Sequence, residues 1–226
     1  MPMSLLDAFW RVVTRLGEAQ ILLPTALVLA LWLAWRARAW RLAAAWWLGI
    51  VAAAAVTTAS KVAFIGYGWG WPEIDFTGIS GHAMFASAIL PVAGMALAGA
   101  QDGGRARVWQ RAGLAVGVAL ALLVGISRAM LGVHSASEIV AGWIVGGVAA
   151  AAVLRAAPMP LARLPLWLPV MVSLWLGTAS AKAPPSITHD LVTRWSLALS
   201  SRSQPYTRSD MLTTWRLEQR RDRVPR

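Results

Sequence analysis

The sequence predicts an all-α fold, a polytopic membrane bundle of about six transmembrane helices preceded by an N-terminal amphipathic interfacial helix. Composition is the first reason. Of 226 residues, 58% are hydrophobic and 14% charged, against roughly 45–50% and about 25% in soluble domains. A soluble core of this size cannot hide that excess. The same figures exclude a disordered chain. The second reason is spacing. Cutting the chain at its charged residues and at His82 leaves six apolar runs, 19–35, 42–60, 83–101, 112–127, 139–154 and 164–181, of 16 to 19 residues each. A hydrocarbon slab of about 30 Å takes roughly 20 helical residues. Flanking residues and snorkelling arginines supply the missing turn. In lipid the backbone must satisfy itself, so each run is a helix. None alternates with period two, and a β-barrel is not supported.

Residues 1–18 differ from the rest. Leu5, Leu6, Phe9, Trp10, Val12, Val13 and Leu16 are interrupted by Asp7, Arg11, Arg15 and Glu18, the pattern of a helix lying in the interface. The acid and arginines also make it a poor signal peptide. Residues 19–156 form the helical core, 157–182 an additional hydrophobic span and 183–226 a basic C-terminal tail. Gly113–Gly117 and Gly142–Gly146 have the spacing of small-residue packing faces, expected to close contacts within the bundle.

The net charge of +11 raises the question of nucleic acid, and the placement of the arginines answers it. Arg36, Arg38, Arg41, Arg105, Arg107, Arg111, Arg155 and Arg163 all lie in alternate loops with Asp102 as their only acid. The opposite loops hold Lys61, Arg128, Glu73, Asp75 and Glu138. The positive-inside rule places the arginine-rich loops in the cytoplasm. Nucleic acid is therefore not expected as a partner. The absence of cysteine excludes disulfides, thiolate metal sites and a cysteine nucleophile. The tail carries eight of the arginines and four acids, and parity after six spans places it outside. Its composition fits a solvated or headgroup-binding segment, with Ile187, Leu191, Val192, Trp195 and Leu199 forming a short interfacial helix.

Ionisable residues at the membrane edge are costly, and those here gather on one side. Lys61 ends the second run. Ser80, Gly81 and His82 open the third, Ser127 and Arg128 end the fourth, and His134 with Glu138 opens the fifth. Alternation of the spans puts all of them at the outer face. His134 and Glu138 are four apart, so the carboxylate accepts from one imidazole nitrogen and leaves the other free as a nucleophile. Ser80-Gly81-His82 sits where a helix begins, and unpaired N–H groups there attract anions, phosphate above all. Arg128 offers a fork of donors to an oxyanion and Lys61 a point charge. His82 is placed to act as an acid. Each feature has a plainer reading: a snorkelling Arg or Lys, a satisfied histidine, a helix cap, a glutamate complementing a dipole. Their joint placement is what points to an anion site.

These residues resemble the type 2 phosphatidic acid phosphatase superfamily, marked by the motifs Lys-x6-Arg-Pro, Pro-Ser-Gly-His and Ser-Arg-x5-His-x3-Asp. The third reads Ser127-Arg128 through His134 to Glu138, with Glu for Asp. The second reads Ile79-Ser80-Gly81-His82, with Ile for Pro. The first is degenerate. Lys61 is followed seven residues later by Gly68, and the Arg-Pro pair is missing. The resemblance covers roughly residues 20–156. It implies a metal-independent lipid phosphate phosphohydrolase working through a phosphohistidine, without cofactor. His134 would attack phosphorus, Glu138 steady the imidazolium, and His82 protonate the leaving oxygen. Lys61, Ser80, Gly81 and Arg128 would hold the phosphate oxygens. The longer Glu138 implies a helix set slightly back or a shifted imidazole. The missing Arg implies weakened catalysis or an Arg supplied from elsewhere, and a tail Arg is a candidate on grounds of parity. The expected partners are the inner (cytoplasmic) membrane and a lipid phosphate, such as a polyprenyl diphosphate (undecaprenyl diphosphate among them) or a phospholipid phosphate, met on the periplasmic face. The lipid and the oligomeric state are left open. Tyr67, Trp69 and Trp71 read as interface anchors or substrate contacts. The rival functions are a transporter or flippase with an Arg-His-Glu pathway, and an inactive lipid-binding member of the family.

Overall fold

A computed structural model describes residues 5–98, 105–160 and 188–222, with isolated positions between 171 and 178. Among these residues the chain is helical, apart from one isolated bridge between Trp71 and Phe76. Helix α1 (Leu5–Arg15) is followed by α2 (Ala19–Trp35), α3 (Trp40–Tyr67), a 3-10 turn at Pro72–Ile74, α4 (Gly81–Ala98), α5 (Ala106–Met130) and α6 (Ala136–Ala156). Two further helices, α7 (Thr188–Ser200) and α8 (Arg208–Asp222), form the C-terminal segment. Helices α3 to α6 are each long and apolar enough to cross a membrane. Helix α2 has 17 residues and reaches that standard only together with α1, from which it is bent by 43°. Five of the six expected runs therefore coincide with helices. The sixth, 164–181, lies largely outside the described residues.

The bundle is built around α4, which buries 61% of its apolar window against 28% for α3, α5 and α6. In a bilayer, helices associate through close packing rather than water exclusion, and small residues allow the approach. Both glycine pairs serve this end. A Cβ on Gly117 would lie 2.2 Å from the Leu90 carbonyl oxygen, and one on Gly146 2.2 Å from that of Met84. Helices α5 and α6 thus grip α4 from two sides. Trp46 of α3 is buried and donates its indole N–H to the Ala88 carbonyl at 3.0 Å. On the outside, Leu48, Val51, Val116, Leu122, Ile144 and Val148 stay exposed. That apolar belt fits a multi-pass membrane protein.

Two local results differ from the sequence reading. Helix α3 does not stop before Lys61 but runs two turns further, to Tyr67. A charge marks a boundary only where it meets water. Lys61 instead faces the interior of the bundle end, and Phe64 and Ile65 beyond it are buried. The helix ends where Gly68 adopts φ +73, its N–H returning to Phe64 and that of Trp69 to Ala63. The tail is also not a solvated appendage. Met211 and Tyr206 pack on Phe64 and Ile65, and Tyr67 Oη donates to the Leu199 carbonyl at 3.1 Å. Leu191, Trp195 and Leu199 of α7 do stay exposed, as an interfacial face requires. Ile187 lies outside the described residues. Helix α1 likewise exposes Leu5, Leu6, Phe9 and Val12 while burying Val13 and Thr14.

Candidate functional site

One end of the bundle encloses a cavity of about 710 Å³ whose lining includes Lys61, Gly81, His82, Arg128 and His134. Three helices, α3, α4 and α5, and the loop between α5 and α6 supply these residues, 73 positions apart at the extremes. Ligand pockets run to about 300–1,000 Å³, so the volume suits a small-molecule ligand.

The centre of the site is built on the first turn of α6. Ser135 caps that helix: its Oγ accepts from the Glu138 N–H at 3.4 Å, while Glu138 Oε2 accepts from the Ser135 N–H at 3.1 Å. The capping box turns the Glu138 carboxylate back over the helix start. There Oε2 lies 2.6 Å from His134 Nδ1. A carboxylate only accepts, so Nδ1 carries the proton and Nε2 is left as the basic nitrogen. The Glu138 side chain has no exposed surface. Its second oxygen is held by Thr77, through N–H at 2.8 Å and Oγ1 at 2.5 Å, and by Arg208 Nη2 at 2.7 Å. Burial pushes the His134 imidazole below its ordinary value, against the opposing pull of Glu138. The ring is therefore neutral, with a free lone pair, near neutral pH.

Helix α4 begins beside it. The Ser80 N–H donates to the Glu138 carbonyl at 3.0 Å, which fixes the start of α4 against α6. The Ile79 N–H is taken by Ser60 Oγ at 3.0 Å. A Cβ on Gly81 would lie 3.9 Å from Lys61 Nζ, so the ammonium stands over the N-terminus of α4. Across the cavity, Arg128 Nη1 donates to Thr14 Oγ1 at 2.9 Å while its Nε has no partner among the described residues. The elbow between α1 and α2 approaches closely here. A Cβ on Gly17 would lie 2.5 Å from Val124 Cγ1 and 3.1 Å from His82 Cβ, which only glycine avoids.

The structure thus brings together Lys61, Gly81, His82, Arg128 and His134 around one space. Glu138 stands behind His134, and Ser80 lies beneath, its Oγ buried without a partner among the described residues. Tyr67, Trp69 and Trp71 are exposed and do not line the cavity. Among the described residues no group of three or more His, Asp or Glu is placed to hold a metal ion. Four residues escaped the sequence reading. Thr14, in the last turn of α1, and Thr77, in the loop before α4, carry no pattern that would distinguish them from other threonines. Asp75 was visible only as a loop acid. Parity pointed to the tail arginines as a group, and nothing in the sequence selects Arg208 from among them.

Comparison with known proteins follows the same residues. The family model described as the PAP2 superfamily matches residues 65–160. A Klebsiella pneumoniae protein, named as an uncharacterized 22.5 kDa protein in the cps region, is 34% identical over 182 residues. That alignment covers 77% of this chain and 85% of the relative. No solved structure matches the chain.

Proposed function

Because the chain belongs to the PAP2 superfamily, which covers phosphatases acting on lipid phosphates, we propose that it is a membrane lipid phosphate phosphohydrolase working through a phosphohistidine at His134. One observation carries this reading: a histidine fixed by a buried carboxylate shares a single cavity with Lys61, Arg128 and the α4 N-terminus. Tetrahedral dianions are bound by such a set, a guanidinium, an ammonium and backbone N–H groups.

His134 Nε2 attacks phosphorus in line, forming the N–P bond as the P–O bond to the lipid breaks. Lys61, Arg128 and the Gly81 N–H, with Ser80 beneath them, take up the charge on the equatorial oxygens, where phosphoryl transfer gains most of its stabilisation. Glu138 offsets the imidazolium produced by attack. His82 gives its proton to the departing oxygen, then accepts one from the water that cleaves the N–P bond. Two protons and one water balance the cycle, and His134 is regenerated. The degenerate first motif leaves Lys61 as the cation from α3.

The substrate reading follows from the setting. The cavity lies at the end of an apolar bundle, so a lipid in the adjoining leaflet presents its phosphate without leaving the bilayer. A polyprenyl diphosphate or a phospholipid phosphate fits. The test is phosphate release by purified protein from a panel of lipid mono- and diphosphates. Release from at least one member is expected, with inhibition by vanadate, a mimic of the five-coordinate phosphorus. Absence of release from every member would favour a transporter or an inactive lipid binder. Turnover insensitive to saturating vanadate would exclude in-line attack at this site.

The arginine-rich loops on the opposite end support an outer, periplasmic location for the site in an inner membrane. The chain contains no cysteine, so a single Glu73→Cys substitution at an exposed position near the site gives one labelling point. A membrane-impermeant maleimide added to cells with a permeabilised outer membrane should label it. Protection until the inner membrane is opened would reverse the orientation.

A further inference from the structure

We propose that the C-terminal segment completes the active site, with Arg208 as a positioning residue that holds the Glu138 carboxylate against His134. The inference rests on the phosphohistidine reading above for its kinetic consequence, but its geometry stands apart from that reading.

Arg208 lies outside the matched region 65–160, yet its guanidinium joins two acids of the core. Nη1 donates to Asp75 Oδ2 and Nη2 to Glu138 Oε1, each at 2.7 Å, and Nη2 also lies 3.3 Å from Thr77 Oγ1. The tail is fitted to deliver it. The Tyr206 N–H donates to the Ile65 carbonyl at 2.9 Å, and the Tyr206 ring meets Phe64 edge-on at 5.5 Å between centroids. Thr207 and Asp210 then cap α8 reciprocally: Thr207 N–H donates to Asp210 Oδ2 at 2.9 Å, and Asp210 N–H to Thr207 Oγ1 at 3.3 Å. This starts a helix at Arg208 itself. Met211, one turn on, is buried against Phe64 and Ile65. A rigid backbone on one side and Asp75 on the other leave the guanidinium little freedom.

What Arg208 does follows from the carboxylate it touches. Glu138 is fully buried and must keep one oxygen on His134. A side chain with free rotation about its last bond would exchange its oxygens and blur the imidazole's orientation. Thr77 and Arg208 pin the other oxygen. The Arg208 guanidinium also lends positive charge to a carboxylate that would otherwise draw a proton onto His134. The charged and titratable groups facing His134 are Lys61 from α3, His82 from α4, Arg128 from α5, Glu138 from α6, and Arg208 with Asp75 from the tail and the loop before α4. Glu18 stands at the α1–α2 elbow. Arg208 is the group among them that bears on Glu138 from the side away from His134.

The experiment is the titration of His134 by NMR of histidine-labelled full-length protein in nanodiscs, for the wild type and the variants Arg208→Ala, Arg208→Gln and Arg208→Lys, beside phosphate-release kinetics. Loss of the guanidinium removes a positive charge, so the imidazolium becomes easier to form. In Arg208→Ala and Arg208→Gln the His134 pKa should rise by about one unit. The acidic limb of kcat/KM should rise with it, and kcat should fall about 10- to 100-fold with KM changed less than about threefold. Arg208→Lys should restore the titration but only part of kcat, because an ammonium cannot bridge both carboxylates as a fork does. A His134 titration unchanged in both uncharged variants would overturn the proposal. Arg208→Gln keeps a polar group on Glu138 and decides the matter if Arg208→Ala does not fold. A wild type without phosphatase activity would sink the phosphohistidine reading alone, since the titration still reports on Arg208.

Discussion

Phosphate release by His134→Ala should fall at least about 10³- to 10⁴-fold, equivalent to about 4–5.5 kcal/mol in the barrier, while KM stays within a few-fold of the wild type. The split follows from how the site is divided. In the proposed mechanism His134 supplies the attacking nitrogen, whereas Lys61, Arg128 and the start of α4 hold the phosphate, none of which depends on the imidazole for its position. Arg128 is tied to Thr14 in α1, and the α4 start is tied to α6 through the Ser80 N–H and the Glu138 carbonyl. Removing the ring leaves these anchors in place. Glu138 still accepts from Ser135, Thr77 and Arg208, so the fold should survive. Parallel losses in kcat and substrate binding would mean that His134 shapes the pocket rather than attacks. Unchanged turnover would remove it from the mechanism.

The sequence made the membrane bundle legible because lipid imposes a simple rule: an uncharged run of sufficient length must be a helix. Runs 42–60, 83–101, 112–127 and 139–154 each mark a spanning helix, although α3 outruns its forecast at Lys61. The overrun of α3 and the presence of Lys61 in the cavity lining share a cause. Lys61 breaks the apolar pattern yet lies within a helix, facing the cavity, and the same anomaly marks it in the sequence as a candidate site residue. His82, Arg128, His134 and Glu138 stand out in the same way, being expensive groups placed where the spans meet one face. The remaining parts of the site were hidden for physical reasons. Thr77 acts through a backbone N–H and a hydroxyl, which cost little and carry no pattern. Arg208 is one of several tail arginines, and its selection depends on Tyr206 and Met211 docking onto α3. Such a contact arises only in three dimensions.

Glu138→Asp should lower kcat about 10- to 100-fold, although it installs the residue of the family's motif. The reason lies in what the longer side chain reaches. Its carboxylate takes His134 Nδ1 and the Ser135 N–H on one oxygen, and the Thr77 N–H, Thr77 Oγ1 and Arg208 Nη2 on the other. The backbone beneath is fixed by the Ser80 N–H on the Glu138 carbonyl. Removing one methylene withdraws the carboxylate by roughly the length of a C–C bond, about 1.5 Å. Hydrogen bonds of 2.5–3.1 Å cannot all follow that shift. Either His134 loses its partner or Arg208 and Thr77 lose theirs. Glu138→Gln tests the charge instead of the reach. It keeps the length but offers no negative charge to the imidazolium, and an amide directed at His134 favours the wrong tautomer. Loss of a buried carboxylate partner of this kind costs about 10⁴-fold in a serine protease triad, and about 10³-fold or more is expected here. If Glu138→Asp works as well as the wild type, Thr77 and Arg208 do not constrain the carboxylate, and Glu and Asp are interchangeable at this position. If instead both variants fail with the expected ranking, the longer acid and the tail arginine act as one unit, and replacing either alone leaves the other misplaced.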